Sequence, residues 1–112
     1  MISTILHVVA ALATIAVGAY SMLWPRRVRG FTGLEVENGR GITEIRAVLG
    51  GFFVGLGLFA IILGGEAYRL LGATYWVVAA VRGVSMFVDD SVEQSNIVSI
   101  GSELALGLML LV

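Results

Sequence analysis

ISTILHVVAALATIAVGAYSMLW, residues 2–24, holds one His and no formally charged side chain. Wound as an α-helix at 1.5 Å per residue, it spans about 30 Å, which matches the hydrocarbon core of a bilayer. A secretory signal is the competing reading. Its positive n-region is missing, however, and no small-x-small cleavage site precedes Pro25, so the stretch reads as a retained membrane span.

The rest of the chain has the same character. Of 112 residues, 58% are apolar and 13% charged, and the mean hydropathy is +0.97, whereas soluble domains carry about 25% charged residues. Seven Arg and eight acidic residues are too few to clothe a water-facing surface of this length. With a net charge of −1 there is no basic footprint for nucleic acid. No cysteine is present, which excludes disulfides, thiolate chemistry and thiolate metal sites.

Pro25 ends the first span and begins the most polar segment, residues 25–43, PRRVRGFTGLEVENGRGIT, where glycines mark turns. Thr43 is positioned to cap a second helix over 44–65. A short GGEAYR connection leads to a third helix over 70–88, in which Arg82 is the only charge before the acidic turn of Asp89, Asp90 and Glu93. A fourth helix runs from about Val92 to Val112. The expected fold is therefore all-α, a single domain over 1–112 forming an integral membrane four-helix bundle with helices at about 2–24, 44–65, 70–88 and 92–112. Arg26, Arg27, Arg29 and Arg40 fall in the first loop and only Arg69 on the opposite side, so the positive-inside rule places that loop in the cytoplasm and both termini outside. The acidic turn shares the cytoplasmic side, which makes a contact between the two loops an expectation.

Positions seven apart return to nearly the same helix face, and each helix then shows a polar line. The first has His7, Ala11, Thr14, Gly18 and Ser21; the second has Glu44, Gly51 and Gly55, with Arg46, Gly50 and Gly57 on a separate stripe. The third aligns Tyr75, Arg82 and Asp89 with Ser85 and Met86 beside them, and the fourth aligns Asn96, Ser99, Glu103 and Gly107. A lone carboxylate at the bilayer centre costs about 2.5–3.5 kcal/mol on insertion scales, so Glu103 must face protein, find a partner or take up a proton. Glu103 lies about 15 Å down its helix and Arg82 about 10 Å down the neighbouring one, an offset that an Arg side chain covers. Arg82–Glu103 is the expected pair, and Glu44, near the rim of the second helix, can serve the same arginine.

Other features carry weaker messages. Gly51-x-x-x-Gly55 is a signal for close helix packing inside the bundle. His7 has no second His to complete a metal or haem site and reads as solvated at the interface. Trp24, Trp76, Tyr68 and Tyr75 read as interface-belt residues, of which only Tyr75 shares a face with Arg82. GGFFVGLGL lies inside a span without a preceding strand or a following Lys, so it is not a phosphate loop, and no Ser–His–Asp set, catalytic residue or metal cluster is legible.

The run GITEIRAVLGGFFVGLGLF, followed by VRGVSMFVDD and ELALGLMLL, resembles the bacterial four-helix membrane family catalogued as domain of unknown function 4345. The resemblance covers almost the whole chain. It picks out Glu44, Arg46, Gly50, Gly51, Gly55, Gly57, Arg82, Ser85 and Glu103, and it implies a four-helix integral protein of the bacterial cytoplasmic membrane without supplying an activity or a cofactor.

Three functions compete. In the first, an inward cluster of Glu44, Arg46, Arg82 and Glu103, with Tyr75 and Ser85 alongside, binds an amphipathic small molecule such as a lipid or quinone from the cytoplasmic half of the membrane. In the second, the chain is a structural subunit of a homo-oligomer or a larger membrane complex. In the third, it is a proton-coupled carrier or membrane enzyme that uses Glu103 as proton acceptor.

Overall fold

The computed structural model describes residues 1–112, and no strand occurs among them. Four long helices carry the chain: α1 (Ile2–Leu23), α2 (Gly39–Leu63), α3 (Glu66–Val88) and α4 (Gln94–Leu111). Their order is up-down-up-down. α1 packs along α2 and α3 along α4, and the two pairs join through lighter α1–α4 and α2–α3 contacts. The result is a flattened bundle of 44 × 30 × 16 Å.

All four helices are long and apolar enough to cross a membrane, yet no more than 22% of the residues in any span are buried. Phe59, Ile62, Val77, Val84, Val98 and Leu108 all face outward. Apolar surface turned outward along every span is stable only against hydrocarbon. The chain is a multi-pass membrane protein.

The helix ends follow local chemistry and shift several expected boundaries. α1 stops at Leu23, where the Trp24 N–H closes on the Tyr20 carbonyl at 2.8 Å and Pro25 opens a tight 3-10 turn, Pro25–Val28. α2 begins at Gly39, five residues before the expected start, because Asn38 and not Thr43 is its cap. The Asn38 side chain accepts the Gly41 N–H at 2.9 Å, while the Thr43 hydroxyl donates to the Gly39 carbonyl at 3.1 Å from within the helix. α3 likewise begins at Glu66 and not at 70. Only Gly64 and Gly65 connect it to α2, both at positive φ (63° and 45°), a conformation that lets two residues reverse the chain. α3 ends with Asp90 in the left-handed region and the Ser91 N–H bonded back to the Met86 carbonyl at 2.8 Å, which ties off the helix's last turn. α4 starts at Gln94.

α2 is not uniform. Ile45–Phe52 is π-helical, with i→i+5 hydrogen bonding, between α-helical Gly39–Glu44 and Phe53–Leu63. More residues per turn pass through this stretch than 3.6, yet Gly50 and Gly57, seven residues apart, still face α1 together while Arg46, counted onto the same stripe, is exposed. The Gly51-x-x-x-Gly55 packing expectation fails, because the two glycines share a face that looks into a groove and not onto a neighbouring helix. Gly51 is exposed, and a Cβ on Gly55 would meet nothing within 4 Å. Gly50 and Gly57 are the glycines that pack. A Cβ on Gly57 would lie 2.6 Å from the Ala11 carbonyl oxygen, and one on Gly18 would lie 2.7 Å from the Gly50 carbonyl oxygen, so α1 and α2 approach backbone to backbone. Gly72 and Gly107 play the same part between α3 and α4, where a Cβ on Gly72 would sit 3.0 Å from the Gly107 carbonyl oxygen.

The core between the pairs contains Ala10, Ala11, Ala60, Tyr68, Leu71 and Leu110. Tyr68 is buried there and is not an interface-belt residue. His7 stacks on it with ring centroids 4.7 Å apart, which shields His7 Nε2 against the bundle while the residue as a whole stays half-exposed. The loops do not exchange ion pairs either. Arg29 pairs with Glu35 of its own loop at 2.8 Å, a choice favoured by chain proximity.

Candidate functional site

The residues that could carry chemistry meet where α3 and α4 run together near the end that holds the 25–38 loop. Arg82 projects from α3 and Glu103 from α4. Arg82 Nε donates to Glu103 Oε1 at 2.8 Å and Nη2 to Oε2 at 2.7 Å, a two-pronged pair that matches the guanidinium fork to the carboxylate. Arg82 Nη1 donates to Asn96 Oδ1 at 3.0 Å, and Asn96 Nδ2 donates to the Ser91 carbonyl at 2.9 Å. The cluster is thus pinned to the turn that closes α3.

The two charges have different surroundings. The Glu103 side chain is 12% exposed and that of Arg82 is 30% exposed. Burial of Glu103 is tolerable because both its oxygens accept charge-assisted bonds. Arg82 has five N–H donors and spends three of them. It opens into a groove of about 380 Å³, walled by Val77, Val78, Val81 and Met86 and ended by Arg82, Ser85, Ser91 and Asn96.

The single inward cluster expected from the sequence divides in this structure. Arg82 and Glu103 come together, and Ser85 joins Arg82 along the groove. Glu44 does not join them: it pairs with Arg40 at 2.7 Å on an exposed part of α2, one helical turn away along its own helix. Arg46 is exposed and forms no ion pair. Glu44 ends the α-helical first part of α2 and Arg46 lies within the π-helical stretch, and both are exposed. Tyr75 is hydrogen-bonded to Thr14 of α1 instead of to Arg82. Two partners escaped the sequence reading, Asn96 for Arg82 and Thr14 for Tyr75. Each had a signal, since Asn96 lies seven residues from Glu103 and Thr14 falls on the polar line of α1.

A family described as Domain of unknown function (DUF4345) matches residues 2–112. The chain belongs to this family. No curated protein and no solved structure matches the chain. The family match spans all four helices and includes every residue of the Arg82 cluster, so the cluster lies within the matched domain and not on an appended segment. What that arrangement offers chemically is a fixed cation with two unspent donors at one end of an apolar groove.

Proposed function

We propose that this protein binds an amphipathic membrane molecule, a lipid or a quinone, with Arg82 at its head group. The observation that carries the reading is that Arg82, with two N–H donors uncommitted, lines a groove that Val77, Val78, Val81 and Met86 also line. A phosphate or carbonyl oxygen takes the donors and an apolar tail lies along the valines. Glu103 and Asn96 hold the guanidinium in place and are positioning residues. The same reading sets the protein in the bacterial cytoplasmic membrane, with the Arg-rich loop and the groove on the cytoplasmic side and both termini outside. Support for that orientation is Arg26, Arg27, Arg29 and Arg40 at the first-loop end against Arg69 alone, in the first turn of α3, at the other.

The test is mass spectrometry of the molecules that copurify with the full chain in a mild detergent. Wild type is expected to retain a lipid or quinone in stoichiometric amount. Val81→Trp, which fills the groove and leaves the ion pair intact, is expected to lose it. Equal retention by the variant would overturn the proposal.

A further inference from the structure

The charges of this chain are paired unevenly in space. Arg29 pairs with Glu35, Arg40 with Glu44, Arg69 with Glu66 and Arg82 with Glu103. Arg26, Arg27 and Arg46 are left without an ion pair, and all three are exposed. They gather at one end of the α1–α2 pair. A Cβ on Gly50 of α2 would run into Met22 of α1, so about one turn further toward the first loop the chain reaches Arg46 on α2 and, beyond the end of α1, Arg26 and Arg27 in the 3-10 turn. The unpaired carboxylates at this end of the bundle fall mostly elsewhere: Asp89, Asp90 and Glu93 follow α3 in the turn to α4, and only Glu37 lies in the first loop. The end is positive along α1–α2 and negative along α3–α4.

Aromatic rings mark the depth of the positive edge. Trp24 is 46% exposed, Tyr20 lies 5.6 Å from it and Phe31 lies 5.8 Å from Tyr20, ring centre to ring centre. The Arg27 guanidinium stands 5.9 Å from the centre of the Trp24 ring. A half-exposed tryptophan that closes an apolar span belongs at the level of the lipid head groups. The three arginines are therefore at phosphate level, with exposed Leu23 and Val48 beside them on the hydrocarbon side. A guanidinium fork matches two oxygens of one phosphate. Trp24 and Leu23, next to the arginines, need lipid against them, which favours a lipid phosphate over an acidic protein segment.

We infer that the α1–α2 edge binds an anionic phospholipid of the phosphatidylglycerol class, its phosphate held by Arg26 and Arg46 while Arg27 stays over Trp24, and its chains lying along Leu23 and Val48. Selection rests on net charge. Phosphatidylcholine offers the same phosphate, but its quaternary ammonium is repelled by cations that no carboxylate neutralises. This edge shares no residue with the Arg82 groove and rests neither on the function nor on the orientation proposed above.

The experiment uses the full chain with Trp76→Phe, which leaves Trp24 as the sole tryptophan, in phosphatidylcholine liposomes that receive brominated phosphatidylglycerol or brominated phosphatidylcholine. Bromine quenches tryptophan fluorescence only at short range, so the signal reports the lipid beside Trp24. Phosphatidylglycerol is expected to be preferred there about three- to tenfold at low salt. Arg26→Gln/Arg46→Gln is expected to bring the two lipids within about twofold of each other, with Arg27 kept because it covers the reporter ring. Arg29→Gln/Arg40→Gln removes the same charge from the same end but from paired arginines, and is expected to keep at least about a threefold preference. The chain with Trp76 intact is measured alongside and is expected to rank the lipids in the same order, so the result does not depend on how Trp76→Phe folds. Equal quenching by the two lipids in both chains overturns the proposal. Equal loss of preference in the two double variants overturns the assignment to Arg26 and Arg46.

Discussion

Arg82 and Glu103 are each the other's condition for being inside the bundle. Removing one partner strands a charge, and a buried pair broken in this way costs about 3–5 kcal/mol, a figure reduced here because Arg82 is partly exposed. Glu103→Leu and Arg82→Leu are therefore each expected to lower the melting temperature of the detergent-solubilised protein, by about 1–3 kcal/mol in stability. The double variant Arg82→Leu/Glu103→Leu is expected to recover most of that loss, since two leucines suit an apolar setting. Thermal denaturation followed by circular dichroism checks it. A double variant less stable than both single variants would show that the pair does more than cancel its own charge. This pair was legible in the sequence from helix depth alone. The Asn96 bond was not, because a stripe says which face a residue lies on and not which atom it meets.

For the helices, glycines that look alike in sequence have opposite roles. Gly57 is pressed against the α1 backbone and Gly55, two residues earlier, faces an open groove. Gly57→Ala must push α1 and α2 apart and is expected to cost about 1–3 kcal/mol, as overpacking does. Gly55→Ala is expected to be neutral or stabilising by up to about 1 kcal/mol through helix propensity. The order of melting temperatures, Gly57→Ala below wild type and Gly55→Ala at or above it, is the measurement. A 3.6-residue count correctly placed the buried line of α1, where Ala11, Thr14, Gly18 and Ser21 are all buried. In α2 the count kept Gly50 and Gly57 on one face but misplaced Arg46, which lies within i→i+5 bonding that nothing in IRAVLGGF announces. Boundary errors came from another source. Asn38 and Gly64–Gly65 are local signals, but Thr43 and the polar EAYR segment competed with them on equal terms until packing chose.

The whole molecule is a thin bundle whose apolar exterior needs lipid, and the direction proposed for it across the membrane rests on charge. Because the chain has no cysteine, single-cysteine variants report orientation without background. In the proposed orientation, with both termini outside, Ile2→Cys is expected to react with a membrane-impermeant maleimide on intact cells, and Glu37→Cys only after permeabilisation. The reverse pattern would invert the orientation proposed here. The sequence by itself determined the number of spans, the helical class and the partner of the deepest carboxylate, because the cost of polar groups in hydrocarbon leaves few arrangements for so apolar a chain. Only the tertiary structure decided which glycines touch, that Glu44 and Arg46 stand apart from Arg82, and that grooves open on both sides of α3. Those outcomes depend on how one helix rotates against another, and that rotation is set by the packing of whole faces and not by the spacing of residues along any one of them.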